Sequence, residues 1–251
     1  MKVSLITVTY NSAATLKDTI ESVASQDYPN IEYIVVDGNS KDGTQDIIRS
    51  YNDTVSKWLS EPDKGLYDAM NKGIQMASGD VVGIINSDDF YHRSDAISQV
   101  VNAFQEFRVA SVYADVRFVR PDNLERTVRY YSSQSFSLES FKIGRMPAHP
   151  TFFTYRKNFE KYGYYRTDYK IAADFELLVR FLYREKLSYF YLPIDLMKMR
   201  TGGLSTKSWK SNVIINQEDL RACKENGLDT NYFWLYSRYF QKLLEFLPGL
   251  F

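Results

Sequence analysis

The stretch DVVGIINSDDF, residues 80–90, decides the fold of this chain. Its first part, DVVGIIN, is an apolar run of the kind found in parallel strands that are covered on both faces. The run ends at Asp88 and Asp89, two neighbouring carboxylates that repel each other and need solvent or a cation nearby. The stretch therefore predicts a buried strand that leads either to a cation site or to a polar turn.

Outward from this strand, the first half of the chain alternates between strand and helix patterns. Apolar residues recur at helical spacing in residues 64–79 before the strand and in residues 94–107 after it. Further strands are predicted at 3–10, 31–38, 55–62 and 109–115, and further helices at 14–28 and 42–51. This alternation predicts the α/β class, with a mainly parallel, Rossmann-like sheet flanked by helices.

The second half of the chain is less regular and contains much of the aromatic content. It predicts strands at 126–131, 150–155, 188–193 and 195–200, and helices at 170–186, 210–226 and 232–246. Neither a repeat nor a clear linker divides the sequence. We expect one main domain over residues 1–205, followed by a helical C-terminal extension over residues 206–251.

Composition and charge narrow the functional classes. Lys+Arg and Asp+Glu are both 31, so no overall basic field points to nucleic acid. The single Cys223 excludes an intramolecular disulfide, and a chain with only two histidines is not expected to hold a multi-histidine metal site. The apolar N-terminal run is short, and no segment approaches the roughly 20 apolar residues of a membrane span. We expect a cytoplasmic protein.

Polar residues follow four of the predicted strands and should share one rim, because ligands bind at the carboxyl ends of strands in such sheets. The clusters are Thr9-Tyr10-Asn11, Asp37-Gly38-Asn39-Ser40, Glu61-Pro62-Asp63 and Ser87-Asp88-Asp89. The GxGxxG and P-loop patterns are missing, which disfavours a dinucleotide-binding fold. Carboxylates with few His or Cys suit Mg²⁺ or Mn²⁺, and Mg²⁺ takes one or two carboxylates together with phosphate oxygens. Because successive strand residues face opposite sides, one Asp is expected on the metal and its neighbour on a nucleotide sugar hydroxyl.

The motifs VSLITVTYNS, IVVDGNSKDGT, SEPDKGLYDAMNKGI and NSDDF occur in an order that resembles glycosyltransferase family 2. The resemblance covers about residues 1–205, and the third motif resembles bacterial polysaccharide-assembly members, including colanic-acid-type enzymes. It implies an inverting, metal-dependent transferase of the type A fold, with a nucleotide-sugar-binding half over about 1–115 and an acceptor-binding half over 116–205. The expected donor is a UDP-linked sugar. The expected acceptor is a saccharide or a polyprenyl-diphosphate-linked saccharide in bacterial surface polysaccharide synthesis.

The resemblance assigns nucleotide contacts to the ends of the first three strands. It places Thr9 and Tyr10 at the base, Asp37 on the uracil or ribose, and Asp63 on the loop that flanks the base. The remaining nucleotide contacts that we expect are Asn11, Asn39 and Lys64. The alternatives are that Asp37 and Asn39 only shape a turn and that Lys64 is only a charge before a helix.

The metal assignment also follows from the resemblance. It implies that Asp88 meets the ribose and Asp89 holds the divalent ion, Mn²⁺ or Mg²⁺. Ser87 stands where the strict DxD pattern has its first Asp, so its contribution to the metal stays open.

Inverting transfer needs a base that removes the proton of the acceptor hydroxyl. Asp174 in Ala173-Asp174-Phe175 resembles the base motif of the family, although a first-turn carboxylate often serves only a helix N-terminus. Glu176 is the competing carboxylate, and we expect it on another face. Further contacts to donor, acceptor or diphosphate are expected from Asp68, His149 and Arg200. The loop that contains Gly202 and Gly203 is flexible enough to close over the diphosphate.

The C-terminal segment mixes basic and aromatic residues, including Arg238 and Trp234, with an apolar face. This mixture suits a helix that contacts a membrane surface, a helix packed on the domain or a dimer interface, and the oligomeric state stays open.

Two alternative functions remain open. A nucleotidyltransferase would need a Gly-rich basic loop after the first strand, which TYNSAATLKD lacks, and a non-catalytic nucleotide- or sugar-binding module would not need Asp174.

Overall fold

The computed structural model describes residues 1–202 and 209–244. Within these residues the chain forms one nine-stranded sheet. Its strands are β1 (Val3–Thr9), β2 (Ile31–Asp37), β3 (Lys57–Ser60), β4 (Val81–Asn86), β5 (Asp89–Tyr91), β6 (Ser111–Arg120), β7 (Asn123–Tyr131), β8 (Phe153–Tyr155) and β9 (Tyr189–Arg200). The strands lie in the order β3-β2-β1-β4-β8-β6-β9-β5, and β7 pairs with β6.

Helices cover both faces of this sheet. They are α1 (Leu16–Ala24), α2 (Thr44–Ser50), α3 (Leu66–Met76), α4 (Ala96–Phe107), α5 (Arg156–Tyr162), α6 (Ala173–Leu178), α7 (Trp209–Glu225) and α8 (Tyr232–Leu244). Short 3₁₀ segments occupy Leu138–Ile143 and His149–Thr151. The π-helical turn Val179–Arg184 continues α6. The α/β class predicted from the sequence is confirmed.

The first four strands form the parallel part of the sheet. β1 pairs with β2 and β4, and β2 pairs with β3, all in parallel. The pairing aligns Thr9 with Asp37, Asp37 with Ser60, and Val8 with Asn86. The polar residues that end these strands therefore lie at one edge, as the sequence predicts.

The rest of the sheet is mixed. β8 lies antiparallel between β4 and β6, whereas β9 is parallel to β6 and antiparallel to β5. The sequence predicts a mainly parallel sheet. Parallel pairing is found among β1–β4 and between β6 and β9, whereas the pairs that involve β5, β7 and β8 are antiparallel. Strands β7 and β8 belong to the less regular half of the sequence, and the three-residue strand β5 was not predicted.

Alternating side chains of the central strands feed two hydrophobic cores, one on each face of the sheet. Leu5 packs with α1 and α4 on one face, and Ile6 packs with α3 and α6 on the other. Helix α3 lies very close to β1, because a Cβ at Gly73 would come within 2.4 Å of the Ile6 Cγ2 atom. Burying a side chain such as Ile6 stabilises the fold by about 1.5–3 kcal/mol.

Helix α7 belongs to the same fold unit as the sheet. Ala222 and Cys223 are fully buried, and together with Leu228 they join the core that contains α3 and α6. The predicted boundary at residue 205 therefore separates segments that share one core. In the ranges 1–202 and 209–244, no helix is both long and apolar enough to cross a lipid bilayer.

Besides α5 and β5, which were not predicted, three predicted elements differ from the structure. The helix expected over 170–186 is α-helical only at α6 before it widens into the π-helical turn. The two strands expected at 188–193 and 195–200 form the single strand β9, whose register against β6 shifts around Asp115, opposite the segment that contains Pro193. A shift of this kind lets a strand continue past a proline, which cannot donate a ladder hydrogen bond.

Candidate active site

Asp37 links the end of β2 to the end of the neighbouring strand β3 and to the turn that follows β2. It is fully buried, and its carboxylate accepts hydrogen bonds from the Ser60 hydroxyl (2.6 Å), the Ser40 N–H (3.1 Å) and the Ser40 hydroxyl. A buried carboxylate is tolerated because these donors replace water. In this structure Asp37 therefore stabilises the strand ends and the turn after β2. This is the turn-shaping role that the sequence offered as the alternative to nucleotide binding.

Gly38, the residue after Asp37, lies beside the side chains of Tyr10 and Asp63. A Cβ at position 38 would lie 3.0 Å from the Asp63 Oδ2 atom and 3.2 Å from the Tyr10 Cδ2 atom. We call the surface around Gly38 that these two side chains border the slot. The Tyr10 side chain is 67% exposed. An exposed aromatic ring of this kind suits stacking with a planar ring.

Polar backbone turns flank this slot. Asn11 and Asn39 both adopt positive φ angles, of 50° and 65°, which asparagine tolerates better than most residues. Asn11 ties the two turns together, because its N–H donates to the Ser40 hydroxyl (2.8 Å) and its side-chain oxygen accepts from the Lys41 N–H (3.0 Å). The Thr9 hydroxyl is buried and has no hydrogen-bond partner among the described residues. An unpaired buried hydroxyl costs about 1–3 kcal/mol.

Lys72 is a rim cation that the sequence analysis missed. Its ammonium lies 2.6 Å from Asp63, 2.8 Å from Glu61 and 3.5 Å from Asp68. Burial alone would lower the pKa of Lys72, but its hydrogen bonds with Asp63 and Glu61 hold that pKa above its ordinary value. The i,i+4 spacing of Asp68 and Lys72 on a helix is the signal that could have revealed this cluster.

Lys64 and Asp68 lie beside this cluster at the start of α3. The Lys64 side chain is exposed, and its N–H donates to the Asp68 carboxylate (3.0 Å). Asp68 therefore satisfies a backbone donor before the helix, and this contact lowers its pKa. Both residues border the slot, and their contact with a ligand stays a prediction.

The two neighbouring carboxylates have different surroundings. Asp89, the first residue of β5, is 1% exposed and accepts a hydrogen bond from the Asn86 amide (3.1 Å). Burial, and then the charge of Asp88, raise the pKa of Asp89 to about 8. Asp88 is half-buried in the turn before β5, and within the described ranges no hydrogen bond or ion pair reaches its carboxylate. The asymmetry expected from the sequence is present, but the accessible carboxylate is Asp88, where the sequence assigned the metal to Asp89.

Arg200 fixes the turn that carries Asp88. Its guanidinium donates to the Asp88 carbonyl (2.5 Å), pairs with the Asp18 carboxylate, and lies 5.1 Å from the Phe90 ring centroid. The guanidinium thus lies at the end of β4 beside Asp88. Its predicted contact with a diphosphate stays a prediction, and residue 203 of the neighbouring Gly-Gly loop lies outside the described residues.

The side chains of Asp174, at the start of α6, and His149, in the 3₁₀ segment before β8, contact each other. The Asp174 Oδ2 atom lies 3.1 Å from the His149 Nδ1 atom, and its Oδ1 atom accepts from the Phe175 N–H (2.9 Å). His149 begins the 3₁₀ segment that precedes β8, in which the Thr151 hydroxyl accepts a hydrogen bond from the Ala114 N–H of β6 (2.9 Å). The competing carboxylate, Glu176, is buried against Arg180 and does not face the cleft.

One cavity of about 60 Å³ joins the two sides of the site. Asn86, at the end of β4, lines it together with His149 and Asp174. The other lining residues are mostly apolar or aromatic: Leu66, Tyr67, Met70, Ile84, Pro150 and Tyr165. Apolar walls exclude water and strengthen electrostatic interactions inside the cavity. Asn86, Tyr67 and Tyr165 were not identified from the sequence, because only the tertiary fold brings them beside Asp174.

Helix α7 supports the wall that carries Asp174. The Glu218 carboxylate accepts hydrogen bonds from three successive backbone N–H groups, those of Lys170 (2.7 Å), Ile171 (3.0 Å) and Ala172 (2.9 Å). These groups immediately precede α6, so Glu218 fixes the position from which Asp174 projects. This role of the C-terminal extension was not predicted from the sequence.

The residues present fit a hard divalent ion that is held largely by a ligand. Among residues 1–202 and 209–244, no group of three or more His, Cys, Asp or Glu is placed to form a protein cage for a metal. Asp88 supplies a single accessible carboxylate at the end of β4, next to the slot. This donor set matches the preference of Mg²⁺ for one or two carboxylates plus phosphate oxygens.

Comparisons with known sequences point to one family. The sequence model described as Glycosyl transferase family 2 matches residues 4–163. An uncharacterized glycosyltransferase of Mycobacterium tuberculosis (strain H37Rv) is 35% identical over 181 residues, which cover 71% of this chain and 68% of that protein. A PGL/p-HBAD biosynthesis glycosyltransferase of Mycobacterium bovis (strain BCG / Pasteur 1173P2) is 28% identical over 223 residues, covering 87% and 82%.

Solved structures share the fold. S. aureus TarS 1–349 in complex with UDP-GlcNAc matches with a TM-score of 0.67 at 18% identity, over 98% of this chain and 73% of that chain. This chain spans 44% of a longer TarS chain. The mannosyltransferase PcManGT from Pyrobaculum calidifontis, in complex with GDP-Man and Mn²⁺, matches with a TM-score of 0.64 at 19% identity, over 88% and 64%. At these identities the likeness concerns the fold, and it confirms the type A fold expected from the sequence.

Proposed function

Because this chain belongs to glycosyl transferase family 2, we propose that it is an inverting glycosyltransferase that moves a sugar from a nucleotide diphosphate sugar to a saccharide or lipid-linked saccharide acceptor. The observation that carries the proposal is the cavity that Asn86, at the end of β4, lines together with His149 and Asp174. We place the anomeric carbon of the donor sugar at this cavity, with the leaving diphosphate toward the strand end and the proton acceptor toward His149 and Asp174. Displacement with inversion needs this opposed arrangement.

The slot between Tyr10 and Asp63 is the proposed site of the nucleotide base. The exposed ring of Tyr10 supports it, since a base can stack on an accessible aromatic face. We assign Asp37, Asn11 and Asn39 to holding the slot in shape, because their side chains already bond to neighbouring turns. UDP is the proposed nucleotide, and the TarS complex with UDP-GlcNAc supports this choice.

We propose Asp88 as the metal ligand and Mn²⁺ or Mg²⁺ as the ion. The support is access: Asp88 is half-buried at the rim and its carboxylate has no partner among the described residues, whereas Asp89 is buried and bonded to Asn86. The structure of the mannosyltransferase with Mn²⁺ supports a divalent ion in this fold. When bound, the ion would neutralise the charge that develops on the departing diphosphate. Asp89 would then hold Asn86 in place at the cavity.

The proposed acceptor is a saccharide or a polyprenyl-diphosphate-linked saccharide of bacterial surface polysaccharide synthesis. A relative in PGL/p-HBAD biosynthesis supports glycan assembly as the setting. We also propose that the first turns of α8 contact the cytoplasmic face of a membrane, since Tyr232, Phe233, Trp234 and Tyr236 are exposed there. Sedimentation with anionic lipid vesicles would test this contact. Replacing Phe233 and Trp234 with Ser should abolish co-sedimentation, and unchanged binding would rule out this surface.

The test of the function is a screen of UDP-, GDP- and dTDP-linked sugars with Mn²⁺ or Mg²⁺, measured as release of nucleoside diphosphate with and without saccharide acceptors. We expect one nucleotide class to be turned over only with metal, and the product linkage, read by NMR, to have the opposite anomeric configuration to the donor. The variant D174N should bind the donor and fail to transfer. Binding without turnover in the wild type would favour a non-catalytic module.

A further inference from the structure

The guanidinium of Arg238, on α8, lies between α7 and the segment that contains Gly144. Its Nη1 atom donates hydrogen bonds to the Gly144 carbonyl (2.6 Å) and the Asp219 carboxylate (2.8 Å). Its Nη2 atom donates to the side-chain oxygen of Asn216 (2.9 Å). The side chains of Arg238 and Asp219 are 15% and 2% exposed, so little water screens this ion pair. One side chain of α8 therefore joins two segments that are far apart in the sequence.

The contacts with α7 lie on either side of the residue that supports Asp174. Asn216 and Asp219 flank Glu218, whose carboxylate accepts the backbone N–H groups of residues 170–172. These N–H groups immediately precede α6, which carries Asp174. A shift of α7 would move Glu218 and, with it, the start of α6. The guanidinium thus holds α7 at the point from which the Asp174 backbone is fixed.

The contact with Gly144 lies on the segment that leads to His149. Gly144 follows the 3₁₀ segment Leu138–Ile143, and five residues later the chain reaches His149. Near the end of this stretch, the Ala148 N–H donates to the Ser133 hydroxyl (3.0 Å), which ties the stretch to the residues after β7. The guanidinium ties the start of the same stretch to α7. Its three hydrogen bonds therefore connect the supports of both members of the pair Asp174 and His149.

The surroundings of Gly144 are shaped for this guanidinium. Gly144 has a φ of 67°, and a Cβ at this position would clash with the Arg238 Nη1 atom. The rings of Phe141 and Phe175 also join the two segments, with centroids 5.6 Å apart, but apolar packing has little directional preference. A planar guanidinium that donates to three acceptors fixes direction as well as distance.

We propose that Arg238 is a positioning residue for transfer, which sets the contact between Asp174 and His149 by bridging α7 and Gly144. The proposal rests on the proposed function and gives α8 a part in it. The Asp174 Oδ2 and His149 Nδ1 atoms lie 3.1 Å apart, and a misplacement of about 1 Å can cost about 100-fold in rate. Arg238 is not among the described residues that line the cavity, so its loss should change the geometry of the pair and not the binding of the donor.

The geometry of the pair can be measured without turnover, because His92 and His149 are the two histidines of the sequence. In protein labelled with ¹⁵N-histidine, each imidazole gives its own NMR signals, and the variant H92Q assigns them. We expect R238Q to move the His149 ring signals toward those of D174N, in which the partner carboxylate is missing. The His92 signals should stay in place, because that ring pairs with Asp195 on β9.

Kinetics distinguish positioning from a general loss of stability. R238Q should lose roughly 10- to 100-fold in kcat, with metal-dependent UDP affinity unchanged. R238K keeps the charge, but a single ammonium does not reproduce the planar fork, so its kcat should lie between those of R238Q and the wild type. The control R120Q removes an exposed ion pair with Asp122 and should change neither quantity.

Two glycines provide a test that leaves Arg238 in place. Gly144 and Gly227 both have positive φ angles, of 67° and 76°, so alanine strains the backbone at either position. At Gly144 the new Cβ would also meet the guanidinium, whereas a Cβ at Gly227 would have no atom of the described residues within 4 Å. G144A should therefore reproduce the loss of kcat and the shifted His149 signals, and G227A should show neither.

Two results would overturn the proposal. One is that R238Q or G144A folds, keeps the His149 signals in place and turns over within about twofold of the wild type. The other is a fall in UDP affinity as large as the fall in kcat. If R238Q does not fold, the comparison of G144A with G227A decides. A wild type that transfers no sugar would contradict the proposed function, and the histidine signals would still show whether Arg238 positions the pair.

Discussion

The cleft has a nucleotide wall, formed by the strand ends around Asp37, and an acceptor wall, formed by the segment that carries Asp174. The contacts that build these two walls join residues at very different separations along the chain. On the nucleotide side, Asp37 accepts hydrogen bonds from Ser40, three residues later, and from Ser60 on the neighbouring strand. On the acceptor side, Glu218 of α7 holds the backbone of residues 170–172, which lies 46–48 positions earlier. The nucleotide wall is thus a property of consecutive strand ends, whereas the acceptor wall depends on the docked C-terminal helix. A substitution in one wall should therefore leave the function of the other wall intact, so that it can still be measured.

The largest effect is expected from the exchange of Asp88. Its variant D88N should lose roughly 100-fold in metal-dependent UDP affinity, because the accessible carboxylate and its charge are removed. D89N is the matched control and should keep the metal dependence, since its side chain is buried beside Asn86. Calorimetry of UDP with and without Mn²⁺ measures both. The reverse pattern would return the metal to Asp89, as the sequence-based assignment has it.

Removal of the Asp37 carboxylate, which supports the nucleotide wall, should have the next largest effect. D37A leaves Ser40 and Ser60 without their acceptor, which costs about 2–3 kcal/mol. We expect weaker UDP binding and a lower free energy of unfolding, while kcat at saturating donor stays close to that of the wild type. The change is read from UDP titrations and chemical denaturation. Weakened transfer at saturating donor would mean that the two walls are coupled.

The nucleotide half should also lose stability in acid through Glu32. Burial would raise the pKa of this carboxyl, but hydrogen bonds from Ser4, Ser78 and Lys57 hold it well below 4.5. A lowered pKa in the folded state means that the stabilisation is present above about pH 4.5 and is lost as pH falls through the folded value. E32Q should be about 2 kcal/mol less stable than the wild type at pH 7. The gap should narrow in acid, and denaturation curves at pH 7 and pH 3 that show a constant gap would contradict this account.

The smallest effect is expected from Glu218. E218Q keeps the shape of the side chain but weakens three charge-assisted hydrogen bonds, so we expect about a tenfold loss of kcat. UDP affinity should stay unchanged, because the nucleotide wall is untouched. The control E160Q removes an exposed ion pair with Arg156 and should change neither quantity. A fall in UDP affinity in E218Q would show that α7 also supports the nucleotide side.

The nucleotide wall was predictable because it repeats one local pattern. An apolar strand followed by Asp, Asn, Ser and Gly marks a strand end, and parallel pairing then brings Thr9, Asp37 and Ser60 into line. The acceptor wall gave weaker signals. Asp174 was found through a motif, whereas its partners come from distant segments whose contact no local periodicity records. Tyr67 lies 107 residues from Asp174 along the chain, and Glu218 lies on a helix that was expected to be an appendage.

Burial distinguishes Asp88 from Asp89, which in the sequence are simply two adjacent aspartates. Asp88 and Asp89 are chemically identical, and the alternation of side chains shows that they differ in direction but not which one points outward. The short strand β5 settles this, because its antiparallel pairing with β9 carries Asp89 inward. β5 spans three residues and pairs with a strand more than one hundred positions away, so a local pattern could not reveal it.

The Glu218 contact also orders events during protein synthesis. The ribosome makes a chain from its N-terminus, and domains generally fold as units. The strand ends that form the nucleotide wall all lie within the first 89 residues, whereas Glu218 is among the later residues to be made. The residues of the nucleotide wall therefore emerge long before the residue that fixes the backbone next to Asp174. We expect catalytic competence to be the last property that the emerging chain gains.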